Sequence, residues 1–153
     1  MPSYSYSFLD VRCTLKAPGG DVRLGATEGG SEVGVADEGI TFEKSEDRNT
    51  LYVGVNGVPI HFMHSSLAGV VKIRLVKTSR ANGQLMDLFK SLRSSGDRWG
   101  DITVSLEDRN RGDKVVASEV AFSGEPALTF GKTGGVQEWT LHAGRIDSTL
   151  TKE

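Results

Sequence analysis

Alternation of apolar and polar residues along most of the chain predicts β-strands. In residues 8–15, one face of the predicted strand is formed by Leu9, Val11, Cys13 and Leu15. Similar patterns predict further strands at 22–24, 40–46, 50–55, 58–63, 69–78, 102–106, 115–122, 127–130 and 136–146. The chain is therefore expected to be mainly β.

Turn signals join these segments into antiparallel hairpins. Asn56-Gly57 is the strongest of them and predicts a tight hairpin. The polar residues 47–49 predict a second hairpin between 40–46 and 50–55. Residues 25–39 are rich in Gly and acidic residues and are predicted to form a surface loop.

One segment has the apolar spacing of an amphipathic helix. It covers about residues 80–95, with Ser79 as its cap and Gly96 at its end. The face predicted to pack on the sheet consists of Leu85, Leu88, Phe89 and Leu92. Strands, one helix and more strands predict an antiparallel β-sandwich or barrel with one flanking α-helix, in a single domain over 1–153.

Charge and composition exclude several classes of function. The 153 residues carry a net charge of −2, so no overall field attracts nucleic acid or an anionic membrane. No apolar run approaches ~20 residues, and the first residues lack the pattern of a secretory signal, so we expect no membrane span. Cys13 is the one cysteine, which excludes an internal disulfide, and we expect it to be a buried apolar side chain.

The histidines do not form a predicted metal site. His61 and His64 have an H-x-x-H spacing, but on a strand positions i and i+3 point to opposite faces. No Cys or carboxylate cluster nearby completes a coordination sphere, and no Gly-x-Ser-x-Gly elbow is present. We therefore expect no cofactor and no enzymatic activity.

Two short motifs are better explained as turns. Gly131-Lys132-Thr133 is similar to the end of a phosphate loop, but Pro126 stands where that loop needs Gly and no helix is predicted to follow. Arg111-Gly112-Asp113 matches the integrin tripeptide, and a hairpin turn accounts for it.

Four segments resemble a known family of structural proteins. They are 6–11 (YSFLDV), 38–43 (EGITFE), 46–50 (EDRNT) and 74–85 (RLVKTSRANGQL). The chain resembles the tail tube proteins of contractile-tailed bacteriophages, whose fold relatives form the tubes of R-type pyocins and type VI secretion systems. The likeness extends to the closing strand with Trp139, and Arg80 stands where many members carry Pro.

The resemblance implies a structural subunit of the inner tube of a contractile tail. Six copies would form a ring, and stacked rings would form a hollow conduit that delivers DNA into the host. The implied partners are other copies, the tail sheath, the tape measure protein, the baseplate hub or tube initiator, the tail terminator, and double-stranded DNA that passes without specific binding. The implied location is the virion tail, assembled in the host cytoplasm.

Two alternatives to a tube subunit remain. A tube-initiating baseplate protein or a tail terminator of the same machinery would share the fold and differ in where assembly stops. A small β-sandwich enzyme or ligand-binding module would need a concave pocket with converging polar groups.

The resemblance also suggests which segments line the channel and which make contacts. The candidate lumen strands are 40–55 and 69–78, and the loops 25–39 and 56–68 are candidate contacts with the next ring or the sheath. A channel for DNA is expected to be neutral or acidic, because phosphate contacts dominate non-specific affinity.

Residues Thr41, Glu43 and Ser45 share one face of a predicted strand and are the candidate lumen face. Lys72 and Arg74 would oppose this role unless they point outward or pair with acids.

Overall fold

The computed structural model describes residues 11–18, 20–24, 35–45, 47–77, 80–94, 96–108, 111–128, 130, 132 and 136–150. In this part of the chain lie nine strands, one α-helix and a short 3₁₀ turn at Gly96–Arg98. The strands are β1 (Val11–Ala17), β2 (Gly20–Arg23), β3 (Val35–Lys44), β4 (Asn49–Val53), β5 (Pro59–Met63), β6 (Gly69–Val76), β7 (Ile102–Asp108), β8 (Lys114–Phe122) and β9 (Val136–Thr149). The helix, α1, spans Arg80–Ser94.

Seven of the strands form one antiparallel sheet in the order β2-β1-β7-β8-β9-β6-β3. The remaining two, β4 and β5, pair only with each other and form a separate two-stranded hairpin. The prediction of a mainly β fold with an antiparallel sheet and one helix is confirmed.

The core lies on the inner face of the large sheet. Alternate residues of β1, β7 and β9 are buried there, as the period of two in a half-buried strand requires. Helix α1 covers this face with Leu85, Leu88, Phe89 and Leu92, each at most 6% exposed. The Phe89 and Phe122 rings meet edge to face with centroids 5.5 Å apart, so the helix packs against the end of β8.

Asn82 ties the helix to two strands. Its Oδ1 accepts a hydrogen bond from Trp139 Nε1 on β9 at 3.0 Å, and its Nδ2 donates to the Lys77 carbonyl after β6 at 3.2 Å. Trp139 is only 1% exposed, and a buried indole N–H needs an acceptor. Asn82 therefore lets the largest side chain of the core be buried without an unsatisfied polar group.

A bulge bends the middle of the sheet. Three steps along β8, from Ala117 to Val120, lie opposite two steps of β7, so β8 has one extra residue. Glu119 lies in this bulge with φ +54°, a left-handed conformation that is uncommon outside Gly. Gly144 on β9 lies between the partners of Ser118 and Val120, and a Cβ added to it would lie 3.0 Å from Glu119 Cβ. The bulge thus depends on a glycine in the neighbouring strand.

Three local predictions are wrong. The predicted hairpin between 40–46 and 50–55 does not form, because β3 pairs with β6. Ile40 and Phe42 pack against the core beside β6, whereas every residue of β4 is exposed, so burial outweighed the polar turn at 47–49.

The other two errors concern the start of β3 and the segment 127–130. Strand β3 begins at Val35, inside the predicted loop 25–39, and residues 25–34 lie outside the described part. The predicted strand 127–130 is irregular at its described residues, and the Ala127 carbonyl accepts a hydrogen bond from Gln137 Nε2 at 2.9 Å. Ser79, the predicted cap, also lies outside the described residues.

Gly69 is expected to be essential for the fold. A Cβ at this position would lie 2.2 Å from the Glu43 carbonyl oxygen and 2.5 Å from Ile146 Cδ1, where β3, β6 and β9 meet. Gly69→Ala should lower the free energy of unfolding by about 3 kcal/mol, measured by urea denaturation. Gly83→Ala is the matched control, because Gly83 lies in α1 with no atom near its Cβ position, and it should stabilise by about 0.5–1 kcal/mol. Equal effects of the two changes would contradict this account.

Candidate assembly surfaces

The β4–β5 hairpin is closed by a three-residue turn. Gly54 and Val58 flank the turn, and the Gly54 N–H donates to the Val58 carbonyl at 3.1 Å. Gly57, with φ +82°, supplies the left-handed residue that such loops need, and its N–H donates to the Gly54 carbonyl at 2.8 Å. Pro59 is the first residue of β5, a position where the missing N–H is tolerated. The prediction of a turn at Asn56-Gly57 is therefore confirmed, and the left-handed conformation of Gly57 is its physical basis.

Both faces of the hairpin expose apolar side chains. One face carries Tyr52, Ile60 and Phe62, which are 45–56% exposed. The opposite face carries Leu51, Val53 and Met63, which are 55–87% exposed, and Val55 in the turn is fully exposed. Half-buried strands in a globular protein usually have one polar face. Because both faces of this hairpin are apolar and exposed, the hairpin is a candidate surface for contact with another protein chain.

The two histidines of the hairpin have separate local partners. His61 Nδ1 lies 3.0 Å from Asn49 Nδ2, and His64 Nε2 lies 2.5 Å from Thr50 Oγ1. Asn49 and Thr50 are adjacent strand residues, so the two imidazoles lie on opposite faces, as their spacing predicted. Within the described residues, no group of three His, Cys, Asp or Glu side chains is arranged to hold a metal ion.

The outer face of the large sheet is polar where β3, β6 and β9 run side by side. Thr41 pairs with Lys72, and Lys72 pairs with Thr140. Glu43 lies on the same face of β3 as Thr41 and is exposed. The sheet therefore places two residues of the candidate lumen face, Thr41 and Glu43, beside a lysine.

Ser45 and Arg74 complete this surface. Ser45 follows β3, and both its N–H and its Oγ donate to the Ala68 carbonyl, at 3.1 and 3.2 Å. Arg74 Nη1 lies 3.8 Å from Glu138 Oε2 on β9, so an acid does face this arginine. The pair is partly exposed and contributes at most about 1 kcal/mol, so its main effect is to neutralise charge. The lumen role of Thr41, Glu43 and Ser45 stays a prediction.

The Arg111-Gly112-Asp113 tripeptide forms a turn between β7 and β8. Arg111 Nε lies 3.6 Å from Asp113 Oδ2, and the Arg111 N–H donates to Asp108 Oδ1 at 3.3 Å. Gly112 has φ +89°, which suits glycine. Of Gly131-Lys132-Thr133, only Lys132 is described, and it is exposed. Among the described residues, no helix has the length and apolar character to cross a membrane.

A family comparison identifies the kind of protein that carries these surfaces. The family described as the bacteriophage PhiTE tail tube protein matches residues 3–151. The chain belongs to this tail tube family. The resemblance noted in the sequence is thereby confirmed, and the tail tube protein is a structural component of a phage tail. No curated protein matches it.

Solved structures of contractile injection systems share the fold of this tail tube protein. The cryo-EM sheath/tube terminator of an extracellular contractile injection system, PVC, in its extended state, has a TM-score of 0.60 at 15% identity, with 96% of this chain and 98% of that chain covered. A chain of the extended PVC sheath-tube complex gives 0.51 at 16% identity, with 92% and 89% covered.

The tube-terminating cap of the anti-feeding prophage gives a TM-score of 0.52 at 12% identity, with 99% of this chain and 95% of that chain covered. At such identities these likenesses show the fold of the tail tube protein and not its exact role.

Cys13 is expected to be chemically inert in the folded tail tube protein. Burial raises the pKa of its thiol to about 12, and the side chain is 0% exposed. The thiolate, which is the reactive form, is therefore almost absent at pH 8. A chromogenic disulfide reagent at pH 8 should leave the native protein unmodified and label one thiol per chain in urea. Rapid labelling of native protein would contradict the buried position of Cys13.

Proposed function

We propose that this chain is the tube-forming subunit of a contractile tail, in which hexameric rings stack into a hollow conduit for DNA. The observation that carries the proposal is the β4–β5 hairpin, whose two faces both expose apolar side chains. An isolated two-stranded hairpin is at best marginally stable in water. The hairpin is therefore suited to be completed by contact with other copies of the chain.

The exposed apolar area is large enough for a stable contact. Eight large apolar side chains between Leu51 and Met63 are at least 45% exposed. A fully buried aromatic side chain covers roughly 150–250 Å². We therefore estimate on the order of 700 Å² for the set, near the roughly 800 Å² that each partner gives to a standard interface. Burying it contributes roughly 17 kcal/mol before the costs of association, which are about 4–15 kcal/mol.

The sheet edges support the same proposal. Strands β2 and β3 are the two outer strands of the large sheet in the described part of the chain. Exposed edges promote aggregation of a lone molecule, and closure of a ring of identical subunits removes them. We propose that edges of neighbouring copies join around the channel, so that β3 and β6 contribute to its wall.

The polar face of β3, β6 and β9 is our candidate for the channel surface. Threonines flank Lys72, Glu138 neutralises Arg74, and Glu43 adds a negative charge. A surface of this composition presents few unpaired positive charges to passing phosphates. Passage of DNA without specific binding is consistent with it.

The partners follow from the machinery to which the family belongs. One structure of similar fold comes from a sheath-tube complex and two come from terminators. We propose contacts with the sheath, the baseplate hub or initiator, the terminator and the tape measure protein, inside a virion assembled in the host cytoplasm. The segment 25–39, whose last five residues begin β3, and the segment 56–68, which contains β5, stay our candidates for contacts between rings or with the sheath.

A tail terminator is the second candidate. Two of the three structural likenesses described above are to terminator or cap proteins, and one of them has a TM-score of 0.60. A terminator would use the same hairpin but stop at one ring.

Loss of the hairpin's aromatic face should abolish assembly without unfolding the subunit. Tyr52→Thr with Phe62→Thr keeps residues that favour strands but removes most of the apolar area of the face that also carries Ile60. We expect negative-stain microscopy to show tubes for the wild type and none for this variant, with an unchanged melting temperature. The matched control, Tyr52→Phe with Phe62→Tyr, preserves the area and should still form tubes.

The same micrographs distinguish the two candidates. Tubes of variable length support the tube subunit, whereas single rings that do not stack support the terminator. A wild-type protein that stays monomeric at every concentration, alone and with the other tail proteins, would contradict both.

A positive charge on the candidate lumen face should make the tube bind DNA. Glu43→Lys replaces an exposed acid by a base on β3, and each added phosphate contact steepens the salt dependence of binding by about one unit. Tubes of this variant, assembled with short DNA duplexes, should retain DNA at low salt and release it as salt rises, measured by co-sedimentation. Glu125→Lys, in an exposed loop outside this sheet face, is the control. Equal retention by the two variants would exclude Glu43 from the lumen.

A further inference from the structure

A second apolar surface lies on the body of the subunit, at the end of α1. It is an open cavity of about 440 Å³, lined by Phe89, Arg93, Gly96, Trp99, Ser123 and Gly124. Its floor belongs to an aromatic cluster, because the Phe89 and Trp99 rings meet edge to face at 5.7 Å and Trp99 also contacts Phe122 at 6.3 Å. The cavity is rigid on one side, since Phe89 and Phe122 are buried in the core.

The polar groups of the cavity do not suit a small polar ligand. Ser123 Oγ already donates to the Thr140 carbonyl at 2.9 Å. Among the described lining residues, Arg93 is the one that carries a charge, and it is exposed. A site for a polar metabolite would need several converging polar groups. The cavity instead suits an apolar side chain with backbone carbonyl oxygens near the arginine.

The turn of the β4–β5 hairpin has these properties. Val55 is fully exposed and Val58 is 52% exposed, so two compact apolar side chains lie at the tip. No Asp, Glu, Lys or Arg occurs between Asn49 and Met63, so nothing at the tip repels Arg93. Among the described residues, the carbonyl oxygens of Val55 and Asn56 accept no hydrogen bond, and a guanidinium supplies up to five donors.

The length of the hairpin allows it to reach another copy. Six residues from Asn49 to Gly54 extend the tip by about 20 Å at roughly 3.3 Å per residue, twice the thickness of one sheet layer. The tip and the cavity are different surfaces of the same chain. A contact between them is therefore head to tail, the type that closes into rings or continues along a helix.

We propose that Val55 and Val58 of one copy insert into the cavity between Phe89 and Trp99 of the next copy, with Arg93 donating to the carbonyl oxygens of the turn. This inference rests on the proposed self-assembly and names the two surfaces that meet. The hairpin strands supply most of the buried area, and the inserted tip fixes the register between copies.

Cysteine cross-linking tests the contact directly. Val55→Cys and Gly96→Cys are made as separate variants, and Gly96 has no atom within 4 Å of its Cβ position. Cys13 is buried and does not compete. When the two variants are mixed in equal amounts, allowed to assemble and oxidised, about half of the chains should appear as disulfide-linked dimers, because random mixing pairs one Val55→Cys tip in two with a Gly96→Cys cavity. Either variant alone should give almost none, because a head-to-tail contact brings position 55 to position 96 and not to itself.

The outcomes separate this inference from the proposed function. Tubes that form normally without a 55–96 cross-link would overturn the inference and leave the proposed function intact. Dimers from Val55→Cys alone would show a tip-to-tip contact and also overturn it. Failure of the wild type and all variants to assemble would overturn both.

Filling the cavity provides an independent test. Gly96→Leu adds a large side chain at the lining of the cavity, at a position whose Cβ has open space around it, so the subunit should keep its melting temperature. The concentration needed for assembly should rise about tenfold or more, as the loss of a central apolar contact implies. Gly83→Leu adds the same side chain to α1 outside the cavity lining and should assemble like the wild type. Normal assembly of Gly96→Leu would overturn the inference.

Discussion

The β4–β5 hairpin exposes apolar side chains on both faces and does not bury them in the core of its own chain. In this subunit the sheet and α1 already fill the core, and the β4–β5 hairpin lies apart from it with every strand residue exposed. Contact with another molecule would displace water from this apolar surface, which is the basis of the proposed assembly. The chain therefore has two parts: a body, formed by the large sheet and α1, and an apolar arm, formed by the β4–β5 hairpin. The proposed assembly joins the arm of one copy to the body of another.

The body provides the rigidity that such an arm requires. Asn82 connects α1 to the strand that carries Trp139, and the Phe89–Phe122 contact holds the end of the helix against the sheet. The same aromatic residues form the floor of the open cavity near Trp99. Phe89 thus belongs both to the core and to the lining of the cavity. Substitution of this aromatic residue would therefore weaken the fold and the proposed contact together. For this reason Gly96, at the rim, separates the two effects better than the aromatic residues do.

The sequence predicted those elements whose signals are local. Asn56-Gly57 specified the hairpin turn, and the apolar spacing from Leu85 to Leu92 placed the helix and the side chains that it buries. The polar residues 47–49 led to a wrong prediction of a hairpin between 40–46 and 50–55. Strand β3 pairs instead with β6, about 30 residues further along the chain, because Ile40 and Phe42 pack against the core there. Exposure of both hairpin faces was also invisible in the sequence, since alternation shows that two faces differ and not whether either meets the core.

The head-to-tail symmetry of the proposed contact would also account for subunits that stay separate until they assemble, in spite of the exposed apolar hairpin. A self-complementary patch is fully used once two subunits pair, whereas a head-to-tail contact gives each pair only one junction and leaves a free hairpin tip and a free cavity at its ends. Such pairs gain stability when the ring closes, because closure adds a junction without the entropy cost of binding another free copy. Assembly should therefore be cooperative, with rings favoured over small open oligomers. A tube subunit and a terminator would both close a ring through this contact. The two candidates differ in whether a second ring can stack on the first.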